Sequence, residues 1–179
     1  IGGIEPQLND FVKESVSAGI LSATHDFNEL SDADVILVSV QTDKKGFEPD
    51  YGPMFGALEG LGEALRKKPE GKVPLVIFES TLAPTSMYSL MREHFRKFGL
   101  EEGKNILLGN SPNRVMPGRL VERIISSDKL AGGLHPVTPG LISGLYSKIV
   151  TRGAVYKTNS LTAEIVKTLE NAYRDVRIA

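Results

Sequence analysis

Two stretches of this chain leave little freedom in what it can fold into. Residues 35–40 read Val-Ile-Leu-Val-Ser-Val and residues 73–79 read Val-Pro-Leu-Val-Ile-Phe-Glu. Both are nearly continuous apolar runs without alternation. A strand apolar on both faces has to be covered on both, and a parallel sheet between layers of helices does that. Helical spacing surrounds the runs. Phe11, Val12 and Val16 mark residues 9–18 before a stop at Gly19. Residues 51–68 carry Pro53 at a first-turn position and end at Pro69-Glu70-Gly71, although Gly52, Gly56, Gly60 and Gly62 weaken the pattern. Residues 85–98 form an amphipathic stretch closed by Gly99, and residues 120–126 and 138–151 are helical. Short strands are expected at 20–24, 105–109, 129–131 and 154–157, a polar turn at 41–46, and loops at 2–8 and 111–118. Strands alternating with longer helices predict an α/β fold with a doubly wound parallel sheet.

The closing segment, residues 162–179, is the most sharply sorted helix. On a helical projection Leu161, Ile165, Val166, Leu169, Ala172, Tyr173 and Val176 fall in an arc of roughly 140°. Lys167, Asn171 and Arg174 lie on the opposite side, within about 60° of one another. A cation, an amide and a guanidinium in one stripe suit an anionic or oxygen-rich ligand; a solvated face has the same pattern. The helix reaches Ala179 without a stop signal and the chain opens Ile-Gly-Gly, so the expectation is a fragment of a longer polypeptide.

Composition excludes several classes. The 21 basic and 22 acidic side chains are well mixed and the net charge is −1, which gives no nucleic-acid footprint. Cysteine is absent, so disulfides, thiolate metal sites and a cysteine nucleophile are excluded within these residues, in keeping with a cytoplasmic location. No apolar run approaches the roughly 18 residues of a membrane span. His25, His94 and His135 have no metal-ligand spacing, so no metal site is expected. His94, beside Arg92, Arg96 and Lys97, reads as a surface residue, and Glu101-Glu102 as a solvated turn.

In an open parallel sheet ligands bind off the carboxyl ends of the strands. Three such ends carry small polar residues: Gln41-Thr42, Glu79-Ser80-Thr81, and Asn110 through Arg114. Thr42, Ser80 and Thr81 have hydroxyls suited to a ribose, a phosphate or a catalytic water; Thr81 or Thr85 equally suits a helix cap. The Gly-rich fingerprint of a dinucleotide site and the phosphate loop of nucleotide hydrolases are both missing.

The segments Asp34-Val35-Ile36-Leu37-Val38-Ser39-Val40-Gln41-Thr42, Glu79-Ser80-Thr81-Leu82-Ala83-Pro84, Ser111-Pro112-Asn113-Arg114-Val115-Met116-Pro117-Gly118, Ala131-Gly132-Gly133, and Thr162-Ala163-Glu164 through Arg174-Asp175-Val176-Arg177-Ile178-Ala179 resemble, in order and spacing, motifs of the UDP-glucose/GDP-mannose dehydrogenase family. The third and last are most similar to its UDP-N-acetylmannosamine branch.

The resemblance implies the following. Residues 1–158 are the latter part of an NAD-binding Rossmann-like domain, and residues 159–179 begin a long central helix through which a homodimer forms. The missing parts are an upstream Gly-rich strand and a downstream domain with a catalytic cysteine. Without its neighbours, the strand at 35–40 has an open edge and the one at 20–24 is cut off from the sheet. The reaction is a two-fold oxidation of the C6 hydroxymethyl of a UDP-hexose, UDP-N-acetylmannosamine in this branch, to a carboxylate for surface polysaccharide. Lys167 and Asn171 match oxyanion donors, Thr81 the holder of the hydrolytic water, and Thr42 and Ser80 positions beside the cofactor. Arg114 and Arg174 match substrate-side positions, Arg174 alternatively one that supports the fold or a dimer contact. Asn113 stands where many relatives have a glutamate, and an amide cannot act as general base; Asp43 and Thr85 are further departures. The alternatives are a non-catalytic nucleotide-binding module on this scaffold, and another Rossmann dehydrogenase acting on a hydroxy acid.

Overall fold

A computed structural model describes residues 5–115 and 117–178; residues 2–4 of the expected opening loop, Met116 and Ala179 lie outside the described residues. Five strands form the main sheet: β1 (Val35–Val38), β4 (Leu75–Phe78), β5 (Leu107–Asn110), β6 (Lys129–Gly133) and β7 (Val155–Asn159), adjacent in that order. The runs that opened the sequence reading are β1 and β4, paired in parallel from Val35 with Leu75 to Val38 with Phe78. Between them, β2 (Asp43–Lys45) and β3 (Glu48–Asp50) form a small antiparallel hairpin where a polar turn was expected.

The helices are α1 (Leu8–Ser17), α2 (Gly52–Leu65), α3 (Arg92–Arg96), α4 (Leu120–Ser126), α5 (Thr138–Tyr146) and α6 (Ser160–Ile178). On one face of the sheet Ile36, Val38, Val76, Phe78 and Leu108 meet Met54, Leu58, Leu61 and Leu65 of α2 and Met87, Met91 and Phe95 of the α3 region. On the other, Leu75, Ile77 and Ala131 meet Ile142 and Tyr146 of α5. Two of the glycines of α2 have a packing reason: a Cβ would overlap the Phe27 ring at Gly60 and the Phe98 ring at Gly62.

Several expectations are corrected. Residues 20–24 form no strand; they pair with no strand among the described residues, and Ile20 and Leu21 instead donate to the Ser15 carbonyl. The helix expected at 138–151 ends at Tyr146. The one at 85–98 opens with a π turn, Met87–Met91, before α3. Thr85 precedes it with φ of 77°, a left-handed conformation costly for a β-branched residue. The buried Glu164 carboxylate holds that turn, accepting from the Thr85 and Met87 amides at 2.8 Å each. His94 is buried, its ring 5.2 Å from that of Phe55, and burial pushes its pKa below the ordinary histidine value. Glu102 is no solvated turn residue either: it accepts the Leu108 amide at 2.7 Å, and burial pushes its carboxyl up to about 7.

The sheet is also not wholly parallel. β6 runs antiparallel to β5, Gly109 facing Gly133, and β7 follows β6 in parallel after α5. Lys129, the first residue of β6, therefore sits at the edge where β1, β4 and β5 end. At the far side β1 is an edge strand. Val35 and Leu37, 45% and 51% exposed, point to the face that α5 covers only farther along the sheet.

The closing helix packs on the domain by its polar side. Its buried residues are Ser160, Ala163 and Glu164, while the apolar arc is open to solvent, with Leu169 at 62% and Tyr173 at 66% exposure. The polar stripe begins on the side that meets the domain.

Candidate functional site

The carboxyl ends of β1 and β4 and the loop after β5 enclose a cleft of about 390 Å³. It is lined by residues 39–42, Glu79, Ser80, Thr81 and Asn113. A second groove of about 480 Å³ shares Thr42 and Thr81 and is walled by the β2–β3 hairpin and by Thr168 and Asn171 of α6. Thr42, Ser80, Thr81 and Asn113 thus border the first depression, and Asn171 joins Thr42 and Thr81 at the second.

Their hydrogen bonds determine what each can offer. Ser80 Oγ donates to the Val40 carbonyl at 2.5 Å, and Thr42 Oγ1 to the Thr81 carbonyl at 2.8 Å. Those bonds tie the ends of β1 and β4 together, and both hydroxyls retain only lone pairs for a ligand. The Thr81 hydroxyl has no hydrogen-bond partner among the described residues. Lys167 Nζ donates to the Asn113 carbonyl at 2.6 Å. Burial and then the Arg174 guanidinium push its pKa below the ordinary lysine value, against the pull of Glu170. Asn171 accepts from Arg174 at 2.5 Å. Arg174 borders neither depression and reaches the second only through Asn171. Arg114 pairs with Glu170 and donates to the Asp128 carbonyl at 3.4 Å, so it braces α6 against the loop after β5.

One cluster had no role in the sequence reading. Lys129 is nearly buried and its Nζ has three oxygen partners: Glu79 Oε1 at 3.2 Å, the Ser111 carbonyl at 3.2 Å and Asn113 Oδ1 at 3.1 Å. It also lies 4.3 Å from the centroid of the Tyr146 ring, and the Tyr146 hydroxyl donates to Glu79. Burial lowers the Lys129 pKa while Glu79 opposes the shift. The available signal was slight: a charged residue closing one strand and another opening a different one.

The donor set accommodates part of a dinucleotide. Small polar side chains and open strand ends suit one half of such a ligand at the carboxyl edge of a parallel sheet. A Gly-rich turn leading into a helix, which would cradle a pyrophosphate, has no counterpart among the described residues. No group of three or more His, Cys, Asp or Glu residues suited to a metal occurs among them.

Residues 2–150 match the profile of the NAD binding domain of the UDP-glucose/GDP-mannose dehydrogenase family. The chain belongs to this family. Among its dehydrogenases, a UDP-N-acetyl-D-mannosamine dehydrogenase of Pyrococcus horikoshii is 34% identical over 98% of this chain and 41% of its own length. A UDP-N-acetyl-D-glucosamine 6-dehydrogenase of Pseudomonas aeruginosa is 32% identical, over 99% of this chain and 41% of its own. The solved structure of a UDP-D-ManNAc dehydrogenase from Pyrococcus horikoshii superposes with a TM-score of 0.86 at 33% identity, covering 96% of this chain and 40% of that one. The chain thus spans about two fifths of the length of these dehydrogenases. No helix among the described residues is long and apolar enough to cross a membrane.

Proposed function

We propose that this chain is the NAD-binding part of a nucleotide-sugar 6-dehydrogenase that converts the C6 hydroxymethyl of a UDP-hexose, UDP-N-acetylmannosamine first, to a carboxylate. In this reading residues 1–158 complete the cofactor domain and residues 159–179 begin the central helix. The exposed arc of Leu161, Ile165, Leu169, Tyr173 and Val176 meets a second copy, in a cytoplasmic homodimer. Bound NAD supplies the hydride acceptor. The residues of this chain bind, orient and stabilise charge. Thr42 and Ser80 hold the strand ends at the cofactor, and Thr81 has a free hydroxyl for a water. Lys167 and Asn171 are hydrogen-bond donors toward oxygen that gains negative charge, where fixed donors are most effective.

The observation that carries this reading is the inward turn of the polar stripe. Lys167 is half-buried against the Asn113 carbonyl and Asn171 borders the groove shared with Thr81, while the apolar side of the helix faces out. A merely solvated stripe would have the opposite orientation. The test is turnover of the complete enzyme with UDP-N-acetylmannosamine and NAD, followed by NADH absorbance. Lys167→Ala is expected to lower kcat by about 10²-fold; near-normal turnover would remove Lys167 from the chemistry. Absence of NADH formation by the wild type with any UDP-N-acetylhexosamine would refute the reading as a whole.

A further inference from the structure

The Lys129 cluster fixes something about Asn113 that its residue type alone leaves open. An amide can present either its oxygen or its nitrogen, and the two ends are told apart only by their partners. An ammonium has three donors and no acceptor. With Nζ 3.1 Å from the Asn113 side chain, the atom facing it is Oδ1. Lys129 is itself held from three further sides, by Glu79, the Ser111 carbonyl and the Tyr146 ring, so it cannot swing away to release the amide. The Asn113 backbone is fixed as well: its N–H donates to the Glu79 carbonyl at 3.2 Å, and its carbonyl accepts from Lys167. Asn113 Nδ2 has no partner among the described residues and is not sealed in the interior, while the residue borders the cleft beside Ser80 and Thr81.

We infer that Lys129 is a positioning residue that locks the Asn113 amide with Nδ2 toward the cleft, so that this position reads an acceptor oxygen of the sugar. The inference rests on the nucleotide-sugar reading above. The position then works as a fixed donor. Glu79, the carboxylate that a glutamate at 113 would have to share Lys129 with, already neutralises that lysine. Two carboxylates on one buried ammonium would leave one of them uncompensated. The amide and Glu79 therefore belong together as one solution to the charge of this corner.

The test is calorimetric titration of the complete enzyme, without NAD, using UDP-N-acetylmannosamine and, in parallel, UDP alone. Asn113→Asp keeps the shape and the Lys129 contact but replaces the donor with an acceptor. Its melting temperature is expected to fall, because the new carboxylate has to share Lys129 with Glu79, while affinity for the nucleotide sugar falls by about tenfold to a hundredfold. Affinity for UDP stays unchanged. Lys129→Gln is expected to weaken sugar binding several-fold in the wild-type background and to add nothing in the Asn113→Asp background, because its effect passes through the amide. If Lys129→Gln does not fold, Asn113→Asp alone decides. Unchanged or tighter sugar binding by Asn113→Asp, or an equal loss for UDP, overturns the inference. Failure of the wild type to bind the nucleotide sugar overturns the functional reading beneath it as well.

Discussion

The buried carboxyl of Glu102 makes a quantitative prediction about pH and stability. Burial holds its pKa at about 7 in the fold against 4.5 for the free side chain; the Leu108 and His135 backbone amides and the charge of Arg92 oppose the shift without cancelling it. Between those two values the folded chain binds a proton that the unfolded chain has released. The protonated group's contribution is therefore complete below pH 4.5 and lost as pH rises through about 7. The slope is about 1.4 kcal/mol per pH unit. Over the interval this amounts to roughly 3 kcal/mol, and to about 2 kcal/mol once partial solvent access is allowed for. Glu102→Gln mimics the neutral form and retains an oxygen for the Leu108 amide. Thermal melting of wild type and variant from pH 4.5 to 8.5 is expected to give curves that meet at the acid end. At pH 8 the variant should be the more stable by about 2 kcal/mol. Taking the difference removes every other titrating group the two share. Parallel curves would mean that Glu102 titrates as an ordinary surface glutamate, and the burial argument would fail.

Two further outcomes follow from the backbone and the open edge. Thr85→Gly removes a β-branched residue from φ of 77° without touching the amide that Glu164 holds, and should raise stability by about 1 kcal/mol in the same melting assay; a loss would show that the Thr85 side chain contributes more than its strain costs. The 179 residues alone should aggregate through the uncovered face of β1, and Leu37→Lys should raise their soluble yield in sedimentation, because a charge on that exposed face of an edge strand discourages association; equal yields would place the aggregation elsewhere.

What could be read in the chain, and what could not, divides along physical lines. Val35–Val38 and Leu75–Phe78 were legible as uninterrupted apolar runs, but only Leu75–Phe78 is covered on both faces; Val35 and Leu37 leave one face of the first run open. The β2–β3 hairpin was not legible, since Asp43, Lys44, Lys45, Glu48, Pro49 and Asp50 are poor strand formers. The direction of β6 escaped because nothing in Lys129–Gly133 records the sense of its pairing. Thr42, Ser80, Thr81 and Asn113 were legible as polar residues at strand ends, and they border one cleft. Glu79, Lys129 and Tyr146 gave no joint signal, because only the folded sheet makes them neighbours. The orientation of α6 could not be read from its periodicity alone, for a related reason. Periodicity divides a helix into two sides, but which side faces the domain depends on a surface that here offers the Asn113 carbonyl and the Thr85 and Met87 amides.

The reversal of β6 has a consequence for how this corner tolerates change. Lys129 is set in place by the ladder with β7, where it faces Val155, and the path of the chain between Asn110 and Lys129 plays no part in that pairing. Insertions or deletions around α4 can therefore reshape the rim without displacing the ammonium that steadies Asn113. The rim can diversify between relatives while the anchor beneath it stays in register.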